Sequence, residues 1–252
     1  MSRTWPGLRR EFAGLVLPVE CAGCGRPRAR DRLCEECSSV LNGAVPRRVR
    51  PSRVPSGLPQ VYGALTYTDE ARAALLAHKE RGALGLAAPL GAVLARAVER
   101  ASRAAGTSAP AVPLQGGASA RAGCWSARRP ASTLLVPVPS MRRAVARRGH
   151  DPVRRMAREA AAVLRGAGMA AQVLPVLCLR RRVADQAGLS AAERAANLAG
   201  ALEMVQGGVR LLGRGRVVLV DDVMTTGATL AEASRALGGV ASAAVLAVRS
   251  VE

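Results

Sequence analysis

The segment Arg216-Val217-Val218-Leu219-Val220-Asp221-Asp222-Val223-Met224-Thr225-Thr226-Gly227-Ala228-Thr229-Leu230 constrains the fold of this chain more than any other. Four consecutive apolar residues, Val217 to Val220, read as a buried strand. Two carboxylates stand at its carboxyl end, and a small, hydroxyl-rich turn opens a helix predicted over residues 228–237. A strand that feeds straight into a helix in this way belongs to a sheet with helices packed against it.

The same alternation runs through much of the chain. Strands are predicted at residues 61–68, 134–138, 173–179, 217–220 and 243–248. Between them lie a helix capped by Asp69 and running through Lys79, and a second helical stretch from Gly82 to about Ala105. A third helix covers residues 152–166, and a fourth opens at Ser190, where Ser190 and Glu193 make a capping box. This pattern predicts an α/β domain on a mainly parallel sheet flanked by helices. Residues 106–132, mostly Gly, Ser, Ala, Pro and Arg without period, are expected to be a mobile surface insertion.

Ahead of that domain, Cys21, Cys24, Cys34 and Cys37 read C-x2-C-x9-C-x2-C. Each pair can form a tight knuckle, with Gly23 and Gly25 easing the backbone, and two knuckles make a tetrahedral thiolate site suited to structural Zn²⁺. Arg26, Arg28, Arg30 and Arg32 would offset the thiolate charge. Cys124 and Cys178 stand alone and read as ordinary thiols. Residues 1–45 are therefore expected to be a small zinc-binding module, 46–60 a Pro- and Arg-rich connection, and 61–252 the α/β domain.

Aromatic residues make up only 2% of the chain, so the core must be aliphatic. The formal net charge is +19, and Lys79 is the only lysine among 37 basic residues. Such an excess points to an anionic partner, set against a compositional bias that scatters arginine over surfaces. No apolar run reaches the roughly 18 residues needed to cross a bilayer, and the stretch Phe12 to Val19 is broken by Pro18. A cytoplasmic protein without membrane insertion is expected.

The chemistry of the opening segment is specific. Backbone N–H groups and hydroxyls of Thr225 to Thr229 can converge on one phosphate at a helix N-terminus. Asp221 and Asp222 repel that phosphate, but they can accept hydrogen bonds from vicinal sugar hydroxyls or hold Mg²⁺ through water. A ribose 5-phosphate suits both halves. After Pro139, Arg142, Arg143, Arg147 and Arg148 form a basic loop able to surround pyrophosphate with forked guanidinium contacts. His78, beside Lys79 on a helix, reads as surface or half-buried, while His150 lies in the basic loop.

The Asp-Asp-Val-Met-Thr-Thr-Gly-Ala-Thr run resembles the signature of the type I phosphoribosyltransferases, which bind 5-phosphoribosyl 1-pyrophosphate (PRPP) with Mg²⁺. A four-cysteine module, then Tyr67 and Lys79, Val136-Pro137-Val138-Pro139 with the basic run to Arg148-Gly149, and Gln186, Leu189, Arg194 and Asn197 are similar to the ComF/GntX family of competence-associated phosphoribosyltransferase-like proteins. That family usually continues Arg-Gly-Phe-Asn-Gln, whereas this chain reads Arg148-Gly149-His150-Asp151-Pro152. The resemblance implies a type I phosphoribosyltransferase fold and PRPP contacts from Asp221, Asp222, Val223, Met224, Thr225, Thr226, Gly227, Ala228 and Thr229. It implies catalytic roles for Asp221 and Asp222, and a pyrophosphate site at Arg142, Arg143, Arg147 and Arg148. It also implies a flexible lid over 180–189, with Arg180, Arg181, Arg182 and Gln186 closing on substrate. The expected activity is Mg²⁺-dependent transfer of a phosphoribosyl group from PRPP with release of pyrophosphate, associated with DNA uptake. The alternative is a non-catalytic accessory of natural transformation that binds single-stranded DNA or a helicase partner.

Overall fold

The computed structural model describes residues 20–27, 32–105, 132–181, 193, 197–213 and 215–249. The expected insertion, apart from Ser132, lies outside the described residues, as do Cys124, Arg182, Gln186, Leu189, Ser190 and Arg194. No helix among the described residues is long and apolar enough to cross a membrane.

The fold is α/β, with a mostly parallel six-stranded sheet flanked by helices and a four-cysteine cluster ahead of it. After the cysteine knuckles come α1 (Glu35–Gly43), β1 (Arg47–Val49), β2 (Gln60–Thr66) and α2 (Asp69–Glu80). A short 3-10 turn at Leu84–Leu86 leads into α3 (Ala87–Ala105), then β3 (Thr133–Pro137), α4 (Arg142–Arg148), α5 (Pro152–Gly166) and β4 (Ala171–Val173). The remainder is β5 (Leu177–Leu179), β6 (Leu202–Met204), α6 (Gly208–Leu212), β7 (Arg216–Met224), α7 (Ala228–Ala236) and β8 (Ser242–Val248). The sheet order is β1-β2-β8-β7-β3-β4, parallel throughout except for β1. A separate antiparallel pair joins β5 to β6.

Several local expectations change for physical reasons. The strand expected at 173–179 is two strands: Pro175 has no N–H to donate to a ladder, so β4 closes the main sheet and β5 turns away into the hairpin. Asp69 is the first helical residue rather than the cap; Thr68 is the N-cap, and Asp69 and Glu70 sit in the first turn, where carboxylates favour the helix dipole. The expected basic loop over 142–148 is helical and ends at Gly149 in the left-handed region. The connection after residue 46 is not wholly extended loop, since Arg47 to Val49 pairs with Val61 to Gly63. His78, expected at or near the surface, is fully buried.

The core is aliphatic, as the aromatic poverty requires. On one sheet face, Val218, Val220 and Leu246 pack with Leu90, Val93 and Leu94 of α3 and with Met156, Ala157 and Ala160 of α5. Alanines on both helices let them approach closely. On the other face, Leu219 and Val245 meet Leu230 and Leu237 after the turn, together with Leu177 and Leu202 of the hairpin. Truncating a fully buried leucine such as Leu94 to Ala costs about 2 to 5 kcal/mol at sites of this kind.

The cysteine segment shares this core. Cys21, Leu33, Cys37 and Leu41 are buried in the same cluster as Leu86 and Leu90. Arg96 of α3 donates to the carbonyls of Leu41 (2.9 Å) and Asn42 at the end of α1, satisfying acceptors that the helix itself leaves open.

Candidate functional site

The sheet order places a crevice at the carboxyl ends of β3 and β7. From β3 the chain leaves through α4 and α5 to β4 on one side; from β7 it leaves through α7 to β8 on the other. Where neighbouring parallel strands send their connections in opposite directions, the loops diverge and leave room for a ligand. The two strands stay in register to the end of β3, with Pro137 opposite Val220 and the Val138 N–H bonded to the Val220 carbonyl at 2.9 Å.

Asp221 and Asp222 lie at this crevice. They are inside β7 rather than beyond it, because pairing with β8 continues to Met224 opposite Val248. The side-chain phase changes across the two acids. Val218 and Val220 belong to one core cluster and Leu219 to the other, yet Val223 packs with the first and Met224 with the second. Each carboxylate accepts the following N–H, from Asp222 to Asp221 Oδ1 at 2.8 Å and from Val223 to Asp222 Oδ1 at 2.7 Å.

Lys79, in the last turn of α2, places Nζ 2.5 Å from Asp222 Oδ2. Among the described residues that oxygen accepts no hydrogen bond of good angle, so the ammonium is its only compensation. Burial opposes the charge on Lys79, but the carboxylates of Asp222 and Asp221 overcome it and hold its pKa above the ordinary value. Burial pushes the Asp221 carboxyl up to about 8, and repulsion from Asp222 adds to the shift. Proximity to Asp151 raises it further. One acid of the pair is thus ion-paired, while its neighbour binds a proton more tightly than an ordinary aspartate.

The turn after the acids has the expected form. Gly227 caps α7 with φ +78°, a conformation that L side chains rarely adopt, and an added Cβ would also meet Leu58 Cδ1 at 3.0 Å. Thr226 Oγ1 accepts the Ala228 N–H at 3.4 Å. Thr225, Thr226 and Thr229 are half-buried around this helix start.

The four basic-run arginines do not act alike. Glu80, next to Lys79, receives Arg147 at 3.2 Å and Arg148 Nε at 3.0 Å, with a second, shorter contact from Arg148. Burial opposes ionisation of Glu80, but Arg148 and Arg147 more than offset it and hold its pKa low. Arg142 and Arg143, at the other end of α4, are exposed and make no hydrogen bond or ion pair among the described residues.

His150 ties the same corner together. Its Nε2 lies 3.1 Å from the His78 carbonyl and its Nδ1 3.1 Å from the Arg148 carbonyl. The His78 ring stands 5.6 Å away, and burial drives its pKa down, so it is neutral at pH 7. Asp151 caps α5 by accepting the Arg154 N–H at 3.1 Å and also takes the Ser140 hydroxyl at 3.4 Å.

Sequence reasoning did not single out Glu80, Ser140 or the β5–β6 hairpin. The hairpin is clamped to α7. Buried Glu232 accepts the Leu202 N–H at 3.1 Å and pairs with Arg235, which donates to the Leu202 carbonyl at 2.9 Å. Arg181, at the start of the expected lid, donates to the carbonyls of Asn197 (2.8 Å) and Ala199 (3.0 Å). Arg180 lies within ion-pair distance of Glu203.

The second cluster is the four cysteines. The sulfurs of Cys21, Cys24, Cys34 and Cys37 lie within 4.8 Å of one another, and Cys24 and Cys34 are 3.6 Å apart. All four are free thiols. Tetrahedral ligation at zinc–sulfur bonds of ~2.3 Å needs sulfurs about 3.8 Å apart, so the set can hold a metal such as zinc. Close approach requires Gly23, where a Cβ would stand 2.7 Å from Cys37 Sγ. Burial opposes ionisation of Cys21, but the N–H groups of Cys24, Cys34 and Gly23 bring its thiol down to about 6, whereas burial and the neighbouring thiols push Cys37 up. Arg26 pairs with Glu36 beside the cluster.

Comparison with protein-family models gives no match to this chain, and comparison with curated proteins gives none either.

Proposed function

We propose that this protein binds PRPP and transfers its phosphoribosyl group to an acceptor with release of pyrophosphate. The observation that carries this reading is the acid pair at the sheet's switch point, followed directly by the Thr225 to Thr229 turn that opens α7. The turn supplies hydroxyls and helix N-terminal N–H groups to a 5-phosphate. Asp222 and Asp221 offer carboxylate oxygens to the two hydroxyls of the ribose.

The diphosphate falls to Arg142 and Arg143, which no acid neutralises among the described residues. Arg147 and Arg148 are held by Glu80 and shape the corner instead. Lys79 pairs with the buried Asp222 carboxylate and fixes it in place before substrate arrives. The acid pair also suits Mg²⁺, since a buried carboxylate oxygen is compensated by a single flexible cation. Bound with PRPP, Mg²⁺ would disperse charge on the departing pyrophosphate. Zn²⁺ in the cysteine cluster is structural in this reading, because four thiolates leave no open coordination position.

The test is turnover. Zinc-loaded protein incubated with Mg²⁺, PRPP and each of a panel of nucleobases should release pyrophosphate faster with at least one acceptor than with none. No release above the acceptor-free rate, together with no PRPP binding, would reject the proposal.

A further inference from the structure

At the antiparallel edge of the sheet, β1 and the second half of α3 border an open concavity of about 460 Å³. Arg47 and Arg48 line it from β1, Arg100 and Arg103 from α3, and Tyr62 lies between them. Four arginines line this space, and among the described residues Arg103 pairs with Glu99 at 2.6 Å. Arg47 reaches the Thr66 hydroxyl at 3.3 Å, while the side chains of Arg48 and Arg100 make no hydrogen bond or ion pair among the described residues. Like charges gathered on a concave surface raise the local potential for anions.

This cleft is not part of the acid-pair site. Tyr62 pairs with Ala244, and Ala244 with Val220, so β1 is three strands from β7. At about 4.8 Å per strand the separation is about 14 Å. The volume lies within the range of small-molecule pockets. A nucleic-acid strand also needs exposed rings for stacking, and Tyr62 is only 8% exposed. Arginines that line the cleft from two elements offer forked donors to the oxygens of linked phosphates.

We propose that the cleft formed by Arg47, Arg48, Arg100 and Arg103 is a second anion site that takes a polyphosphate group, either as a nucleoside triphosphate or as inorganic triphosphate. It stands independently of the PRPP reading.

Calorimetry on the zinc-loaded full chain at about 0.1 M salt tests it, with inorganic triphosphate, ATP and an oligothymidylate as titrants. One equivalent of triphosphate should bind, and Arg48→Ser with Arg100→Ser should weaken it by at least ~10-fold through loss of charge-assisted hydrogen bonds. Asp221→Asn with Asp222→Asn should leave it unchanged. ATP binding as tightly as triphosphate shows that the phosphates alone are read; tighter ATP binding identifies a nucleotide as the source. Unchanged affinity in the arginine variant overturns the proposal, as does loss of binding in the aspartate variant. Oligothymidylate binding through Arg48 and Arg100 without triphosphate binding also overturns it. Should the serine variant fail to fold by circular dichroism, Arg48→Lys with Arg100→Lys keeps the charge but loses the fork. It is expected to bind triphosphate more weakly than wild type, and equal binding contradicts the proposal.

Discussion

Lys79 Nζ lies 2.5 Å from Asp222 Oδ2, joining the chain's only lysine to one of two buried carboxylates among the described residues. The two come from different elements, α2 and β7, and no other cation reaches that oxygen among the described residues. Lysine suits the position because it is a compact charge on a flexible stem, whereas the planar guanidinium fork demands two coplanar acceptors. Lys79→Met leaves a buried carboxylate without a counter-charge, which should cost about 2 to 3 kcal/mol, less than a fully enclosed pair because Lys79 keeps some solvent contact. Urea unfolding at pH 7 measures this. A double-mutant cycle with Asp222→Asn should recover most of the loss.

Asp221 makes stability depend on pH in a definite direction. Its folded-state pKa, pushed up to about 8 by burial and by Asp222, exceeds that of an unfolded aspartate. Native protein therefore keeps a proton that the unfolded chain gives up, and stability falls as pH rises from about 4 towards 8. Asp221→Asn removes this dependence. The variant should melt higher than wild type at pH 8.5, and the two should converge towards pH 4. Parallel pH profiles would contradict the raised pKa.

Removing metal from the cysteine cluster should destabilise the whole domain, because Cys21, Cys37 and Leu41 share a core with α3. Purified protein should carry one equivalent of zinc. A strong chelator, or Cys37→Ser, should lower the melting temperature by about 2 to 4 °C for each kcal/mol of stability lost. Zinc should restore the chelated protein but not the variant. A melting temperature insensitive to chelation would show that the four thiols pack without metal.

Glu232 and Arg235 should control how tightly the β5–β6 hairpin is held. Burial opposes ionisation of Glu232, yet Arg235 and the Leu202 N–H lower its pKa, so the clamp contributes above the ordinary glutamate pKa and weakens as pH falls through the lowered one. Glu232→Gln should cost about 1 to 2 kcal/mol, a modest figure because Arg235 is largely exposed. Hydrogen exchange should quicken at residues 177–179 and 202–204 first. Uniform acceleration across the sheet would instead mean a global loss.

What could be read from the sequence was what rests on local pattern. The run Val217 to Val220, the acids and the Thr-Gly turn mark a strand and a helix start with no help from distant residues. The cysteine spacing likewise brought four sulfurs together. The extension of β7 through Asp221 and Asp222 was not legible, because it depends on backbone pairing with β8 and not on side-chain alternation. Helix α4 was hidden because its Arg-Arg-Ala-Val-Ala-Arg-Arg run has no buried face and its N-cap, Met141, makes no capping bond. The partnership of Glu80 with Arg147 and Arg148 spans more than sixty residues, so only the fold reveals that two of four expected pyrophosphate ligands already have an acid. The lone lysine in an arginine-rich chain was the one compositional sign of the Lys79–Asp222 pair.

The most direct test of the account is calorimetric titration of PRPP with Mg²⁺ into wild-type protein and into the Asp221→Asn, Asp222→Asn variant, each shown to be folded by circular dichroism. Wild type should bind one equivalent, and the variant should show no measurable binding. Equal PRPP affinity in the two proteins would contradict the assignment of the acid pair to the ribose.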